Sequence, residues 1–171
     1  MRARDILLDL YSRIPEHLTP AVEGLSPEEL TIQPEPGSNT IGWLAWHLTR
    51  VQDSHVAEVM ETDQIWVSGD WHRRFGLAEA DPSNTGWRHT PAQMAEIRPE
   101  SAEALLEYYR VVADRTLEYL RTLTEEDLDR VVDRRWDPPV TLGVRLVSVA
   151  DDDIAHAGQA AYLRGLLSRR E

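Results

Sequence analysis

The sequence predicts an all-α protein, a four-helix bundle with a long connection between its second and third helices. Three observations lead there. Apolar residues recur at helical spacing in four separate stretches, residues 61–98 hold no sustained period, and no repeat, low-complexity tract or linker divides the chain. A chain of 171 residues is read as one domain, 1–171, long enough to bury a real core.

The first helix is expected over about residues 3 to 24, from the spacing of Ile6, Leu7, Leu10, Ile14, Leu18 and Val22. Pro15 and Pro20 fall inside it and are expected to kink or break it. Gly24 offers a stop, and Ser26-Pro27-Glu28-Glu29 starts a short turn with Pro just inside the cap. Residues 33–38, rich in Pro and Gly, read as a loop. Asn39 or Thr40 caps the second helix, which runs to about Met60. Its inward stripe is Ile41, Leu44, His47 or Leu48, Val51 and His55, flanked by Trp43 and Trp46. In the connection that follows, Trp66, Trp71 and Trp87 serve as local anchors. A connection that long suggests a lid or a pocket wall.

Pro99-Glu100-Ser101 opens the third helix, whose inner face runs from Ala102 through Leu105, Tyr109, Val112 and Thr116 to Leu120. Thr124 to Leu128 resembles a capping box, and residues 131–139 read as extended from their β-branched residues and proline pair. The fourth helix spans Leu142 to Leu167, with Leu142, Leu146, Val149, Ala160, Leu163 and Leu167 in register.

Composition bounds the function. The net charge of -12 speaks against nucleic acid as a partner, since no basic face is expected to dominate. All eighteen basic residues are Arg, which fits a GC-rich coding sequence. Cysteine is absent, which excludes disulfides, thiolate metal sites and cysteine nucleophiles. The N-terminus leads into an amphipathic helix without a signal-peptide block, and no run approaches membrane-spanning length, so no membrane and a cytoplasmic location are expected.

Three polar residues fall on inward stripes: His47 on the second helix, Asp152 and His156 on the fourth. Asp152 and His156 are four apart and so lie one turn above the other. A carboxylate and imidazoles inside a bundle need a compensating partner. One reading is a shared divalent ion held from facing helices, with positions left open for water or substrate. Nitrogen and oxygen donors without sulfur suit Zn²⁺ foremost, and also Ni²⁺, Fe²⁺ or Mn²⁺. The competing reading is a satisfied core histidine beside a solvated acidic patch, Asp151 to Asp153, although Asp152 sits on the stripe and its neighbours flank it. Arg145, about two turns before Asp152, is a candidate to face an anionic substrate, against the competing reading of a solvated or salt-bridged Arg. His55, two turns beyond His47, is a candidate to line the pocket or to act as a base behind the ligands. Gln159 is placed to orient a ligand by a hydrogen bond, and Gly158 to allow close helix approach. Trp136 reads as core or pocket packing, and His17, His72 and His89 lack an inward helical context.

The stretch Asn39-Thr40-Ile41-Gly42-Trp43-Leu44-Ala45-Trp46-His47-Leu48, with the distant Asp152-Asp153-Ile154-Ala155-His156-Ala157-Gly158-Gln159, resembles the DinB/YfiT-like superfamily. It is most similar to an actinobacterial branch of domains of unknown function and mycothiol-dependent, maleylpyruvate isomerase-like enzymes. The resemblance spans the chain from the first helix to Arg164. It implies a four-helix bundle holding one divalent metal by three residues, carried here by His47, Asp152 and His156. Many members use three histidines; the isomerase-like branch has a carboxylate one turn before the last, where this chain has Asp rather than Glu.

The expected function is therefore a metal-dependent thiol S-transferase or thiol-dependent isomerase. A low-molecular-weight thiol such as mycothiol would be the cosubstrate and nucleophile, and an electrophile the second partner. Arg145 and His55 are the candidate catalytic residues. Two alternatives are a hydrolase that activates water at the same metal, and a non-catalytic metal-binding bundle acting in stress response. The free apolar faces of the first and third helices leave room for a homodimer.

Overall fold

The computed structural model describes residues 2–169 of the chain; Met1, Arg170 and Glu171, at the ends of the predicted domain, lie outside the described residues. Four long helices form the bundle, as the periodicity predicts: α1 (Ala3–Val22), α3 (Ile41–Met60), α7 (Ala102–Thr122) and α9 (Leu142–Leu167). Between them lie short helices α2 (Pro27–Leu30), α4 (Ile65–Ser68), α5 (Trp71–Arg74), α6 (Pro91–Glu96) and α8 (Glu125–Leu128), and strands β1 (Val131–Asp133) and β2 (Val140–Thr141). Around the bundle, α9 packs between α1 and α3, and α7 closes the ring by packing on the same two helices.

Polar caps set the helix starts. Thr40, Ser101 and Thr141 each accept a backbone N–H of the first turn of α3, α7 and α9. Ser26, Thr90 and Thr124 make reciprocal capping boxes with Glu29, Gln93 and Asp127, which lets single turns stand as α2, α6 and α8. The expected break in the first helix does not occur, since α1 is helical through both Pro15 and Pro20. Its buried face, including Tyr11, Ile14, Leu18 and Val22, packs into the core, and tertiary packing of that face outweighs the missing backbone donors.

Two features depart from the stripes read in the sequence. The first half of α3 is buried all round, from Ile41 to Arg50, because the segment 61–98 wraps its outer side. Trp66 and Phe75 from that segment are fully buried against Tyr108 of α7. The inward face of α9 is also turned from the expected one. Asp153 is fully buried and Asp152 sits at the edge of the core, the reverse of the predicted order. The physical reason is that α9 faces two neighbours at once, presenting Asp153 to the α1–α7 side and Asp152 to α3.

The extended segment 131–139 supplies β1 and the turn of a two-stranded antiparallel hairpin that β2 completes, with Val131 opposite Thr141 and Asp133 opposite Val140. The hairpin ends at the N-terminus of α9 and brings Asp133 beside Arg145.

Candidate metal centre

His47, Asp152 and His156 come together, with one donor atom of each within 4.8 Å of the others. α3 supplies His47 and α9 supplies the pair one turn apart. The two imidazole rings lie 4.8 Å apart, edge to face, and His156 Nε2 is 3.5 Å from Asp152 Oδ1.

Each ring is oriented by its other nitrogen. His47 Nδ1 lies 2.5 Å from the carbonyl oxygen of Thr85. A carbonyl only accepts, so Nδ1 carries the hydrogen and Nε2 keeps its lone pair for the cluster. His156 Nδ1 donates to Gln159 Oε1 at 2.9 Å, the orienting bond expected of Gln159. Trp43 stacks on the His47 ring at 4.6 Å with planes 13° apart, which fixes the ring from its face.

Burial holds the His47 pKa below the ordinary imidazole value, so the ring is ready to donate its lone pair. In His156 the hydrogen bond to Asp152 raises it instead. Asp152 Oδ2 is buried and has no hydrogen-bond partner among the described residues. An orphaned carboxylate oxygen between two oriented imidazoles is costly unless a cation satisfies it. Two imidazoles and a carboxylate fit a divalent ion, and this His-Asp-His cluster is able to hold one.

Beside the cluster lies a cavity of about 760 Å³. His47 and Asp152 stand in its wall, so it reaches the donors directly. Val51, Val140, Val144 and Val149 give it an apolar side, and Ser54, Ser83, Thr85 and Ser148 a polar one. The connection 61–98 contributes Ser83, Thr85 and Trp87, and is a pocket wall as its length suggested. Trp87, expected as an anchor, is instead 73% exposed; Trp136, 65% exposed, is outside the core but packs along the pocket, and both line this cavity.

Arg145 also lines the cavity, but its charge is spoken for. Its Nη1 is 2.8 Å from Glu58 Oε2 and 2.7 Å from His55 Nδ1, and its Nη2 is 3.2 Å from Asp133 Oδ2. Arg135 makes two side-chain bonds to the same Asp133, at 2.9 and 2.8 Å, which with the Arg135 backbone N–H hold that carboxyl well below the usual carboxylate range. Arg145 is therefore salt-bridged and shielded, rather than solvated or turned to a substrate.

Other residues carry more than the sequence suggested. His89 accepts from Trp43 Nε1 at 3.3 Å and donates to Asn84 Oδ1 at 2.8 Å, tying the connection to the ring that stacks on His47. Arg50, fully buried, donates to the carbonyls of Pro82 and Asn84, just ahead of Thr85. A helical period says nothing of a backbone carbonyl delivered by a distant loop, so Thr85 has no sequence signal. Gly158 lies on an exposed face, with open space where a Cβ would stand, and so does not serve the close helix approach expected of it.

The described residues contain no helix long and apolar enough to cross a membrane. No curated protein matches the chain. Among solved structures, the chain is similar to the conserved protein of a locus from Enterococcus faecalis. That likeness has 32% identity and a TM-score of 0.87, covering 96% of each chain. The family model described as the DinB superfamily matches residues 10–160. On a match of that extent, carried by a four-helix bundle with a His-Asp-His cluster, the chain belongs to the DinB superfamily.

Proposed function

We propose that this protein is a metal-dependent thiol transferase or thiol-dependent isomerase, working on a small electrophile in the cavity beside His47 and Asp152. A divalent ion, Zn²⁺ foremost, supplies Lewis acidity there that keeps a small thiol deprotonated at neutral pH. His47, Asp152 and His156 hold it, and Thr85 and Gln159 keep the two rings aimed. The apolar valine wall takes the body of the ligand, while the absence of cysteine leaves the nucleophile to come from solution.

The observation that carries this reading is the cavity of about 760 Å³ opening onto the donors. That volume lies in the range of small-molecule sites, whereas a purely structural ion is closed in by protein ligands. The space beside the donors favours a ligand-binding role over a non-catalytic bundle.

The test is metal analysis of the purified protein, followed by calorimetric titration with a small thiol before and after chelation. Binding that disappears with the metal and returns with Zn²⁺ is expected. Thiol affinity unchanged by demonstrated metal removal overturns the proposal, and turnover of an ester or amide panel without thiol replaces it by metal-assisted hydrolysis.

A further inference from the structure

His55 and Arg145 meet in the wall of the same cavity, and their contact fixes a hydrogen. Arg145 Nη1 lies 2.7 Å from His55 Nδ1. A guanidinium has donors and no acceptor, so Nδ1 is the bare nitrogen of the ring. The neutral imidazole then carries its hydrogen on Nε2. Glu58 Oε2, 3.5 Å from the same Nδ1, favours the opposite arrangement. It lies farther away and already accepts from Arg145 at 2.8 Å, so the guanidinium decides. Burial and the Arg145 charge both disfavour the imidazolium form, which leaves the neutral ring with a settled tautomer.

Arg145 cannot itself turn to a ligand. Its side chain is 9% exposed and is clamped by Glu58 and Asp133, whereas the His55 side chain is 41% exposed. From these contacts we infer that His55 is a specificity-determining donor, presenting Nε2–H to a carbonyl or carboxylate oxygen of a ligand whose other end reaches His47 and Asp152. Arg145 is the positioning residue behind it. His55 thus acts as a donor rather than the base read from the sequence. It stands two helical turns from His47, about 12 Å along the axis, so the ligand separates its metal-seeking atom from its oxygen by a chain of several bonds. This inference rests on the metal-centre reading.

The test uses zinc-loaded protein and two kinds of probe: mercaptohexanoate and mercaptooctanoate, and thiols of the same chain length ending in methyl. Wild type is expected to prefer the acids by about tenfold or more, the worth of one hydrogen bond to a charged group. His55→Leu should lose that preference while binding methyl-ended thiols as before. His55→Gln, which restores an amide donor, should recover part of it. Independently of metal, long-range nitrogen–proton NMR of His55 should show the Nε2–H form in wild type and a mixture in Arg145→Met. An Nδ1–H ring in wild type, or an acid preference intact in His55→Leu, overturns the inference. Should no thiol bind, the thiol reading falls by itself. Hexanoate alone then decides the role of His55: affinity lost in His55→Leu upholds it, and equal affinity overturns it.

Discussion

The imidazole of His47, on a core helix, is aimed by the backbone carbonyl of Thr85, thirty-eight residues away in the connection that wraps it. The candidate metal centre is thus assembled by three parts of the chain, α3, α9 and the turn around residues 85–89. That turn is as much a part of the site as the ligands, because the carbonyl decides which nitrogen of His47 keeps its lone pair.

Gly86 is where this dependence is most exposed. Its φ of +89° lies in the left-handed region, and a Cβ there would stand 2.8 Å from His47 Nδ1 and 3.0 Å from the Trp46 ring. Gly86→Ala should therefore displace the Thr85 carbonyl or tilt the His47 ring while leaving the bundle folded. Zinc affinity is expected to fall about 10- to 100-fold, as for loss of an orienting partner. Competition with a chromophoric chelator measures it; an unchanged affinity would detach the turn from the metal centre.

Asp152 sets the acidity of its neighbour as well as offering an oxygen. Because its hydrogen bond raises the His156 pKa above the ordinary imidazole value, the metal-free ring holds its proton to higher pH. A metal needs that ring neutral, so apparent affinity should rise with pH through His156's raised value and level off only above it. Asp152→Asn should move the rise to lower pH. It should also weaken zinc at the plateau by more than about 100-fold, since a ligand rather than an orienting partner is lost. Titration of zinc affinity across pH in both proteins checks the sign and the size.

The four long helices were legible because each carries a long apolar period, and His47, Asp152 and His156 were found because they interrupt it. Finer assignments failed where a helix serves two neighbours. α9 packs on both α1 and α3, so its buried arc is wider than one stripe and takes in Asp153, which a single stripe places on the flank. Short α4 and α5 lack a side-chain cap of their own and rest on burial of Trp66, Trp71 and Phe75, with Asp53 accepting the first backbone N–H groups of α4, while α6 rests on its Thr90 cap; no period announces any of these. For Arg145 the sequence offers a substrate-facing reading and a solvated or salt-bridged one, and cannot choose, because its partners Glu58 and Asp133 come from α3 and β1 and such pairing exists only in three dimensions.

Asp153 gives the fold a pH dependence opposite in sign to that of a salt-bridged acid. Both of its oxygens are buried without a hydrogen-bond partner among the described residues, and burial pushes its pKa well above the carboxylate range, with Asp152 adding to the rise. The folded chain therefore keeps a proton that the unfolded chain releases near the ordinary carboxylate value. Stability should fall as pH rises from that value toward the raised one. Asp153→Asn, which cannot titrate, should flatten this slope in urea unfolding of metal-free protein between acid and neutral pH. Parallel slopes in the two proteins would mean that Asp153 is ionised in the core.

Among the fastenings of the wrapped connection, the most buried is at Arg50 and Asp53, both fully buried. Asp53 accepts from the backbone N–H of Ile65 and Trp66 at 3.0 and 2.8 Å, from the Tyr108 hydroxyl at 2.8 Å and from Arg115 at 2.6 Å. Arg50 adds Gln64 at 2.8 Å and the carbonyls that precede Thr85. Removing the carboxylate leaves the Arg50 charge in the core, so Asp53→Ala is expected to cost on the order of 3–5 kcal/mol. The loss should be local before it is global. Hydrogen exchange at Ile65 and Trp66 should speed up far more than in the buried turns of α7, since the connection opens while the bundle holds. Because the Asn84–Thr85 segment loosens with it, zinc affinity should drop in the same variant. Uniform acceleration of exchange across the chain would show instead that connection and bundle unfold as one unit.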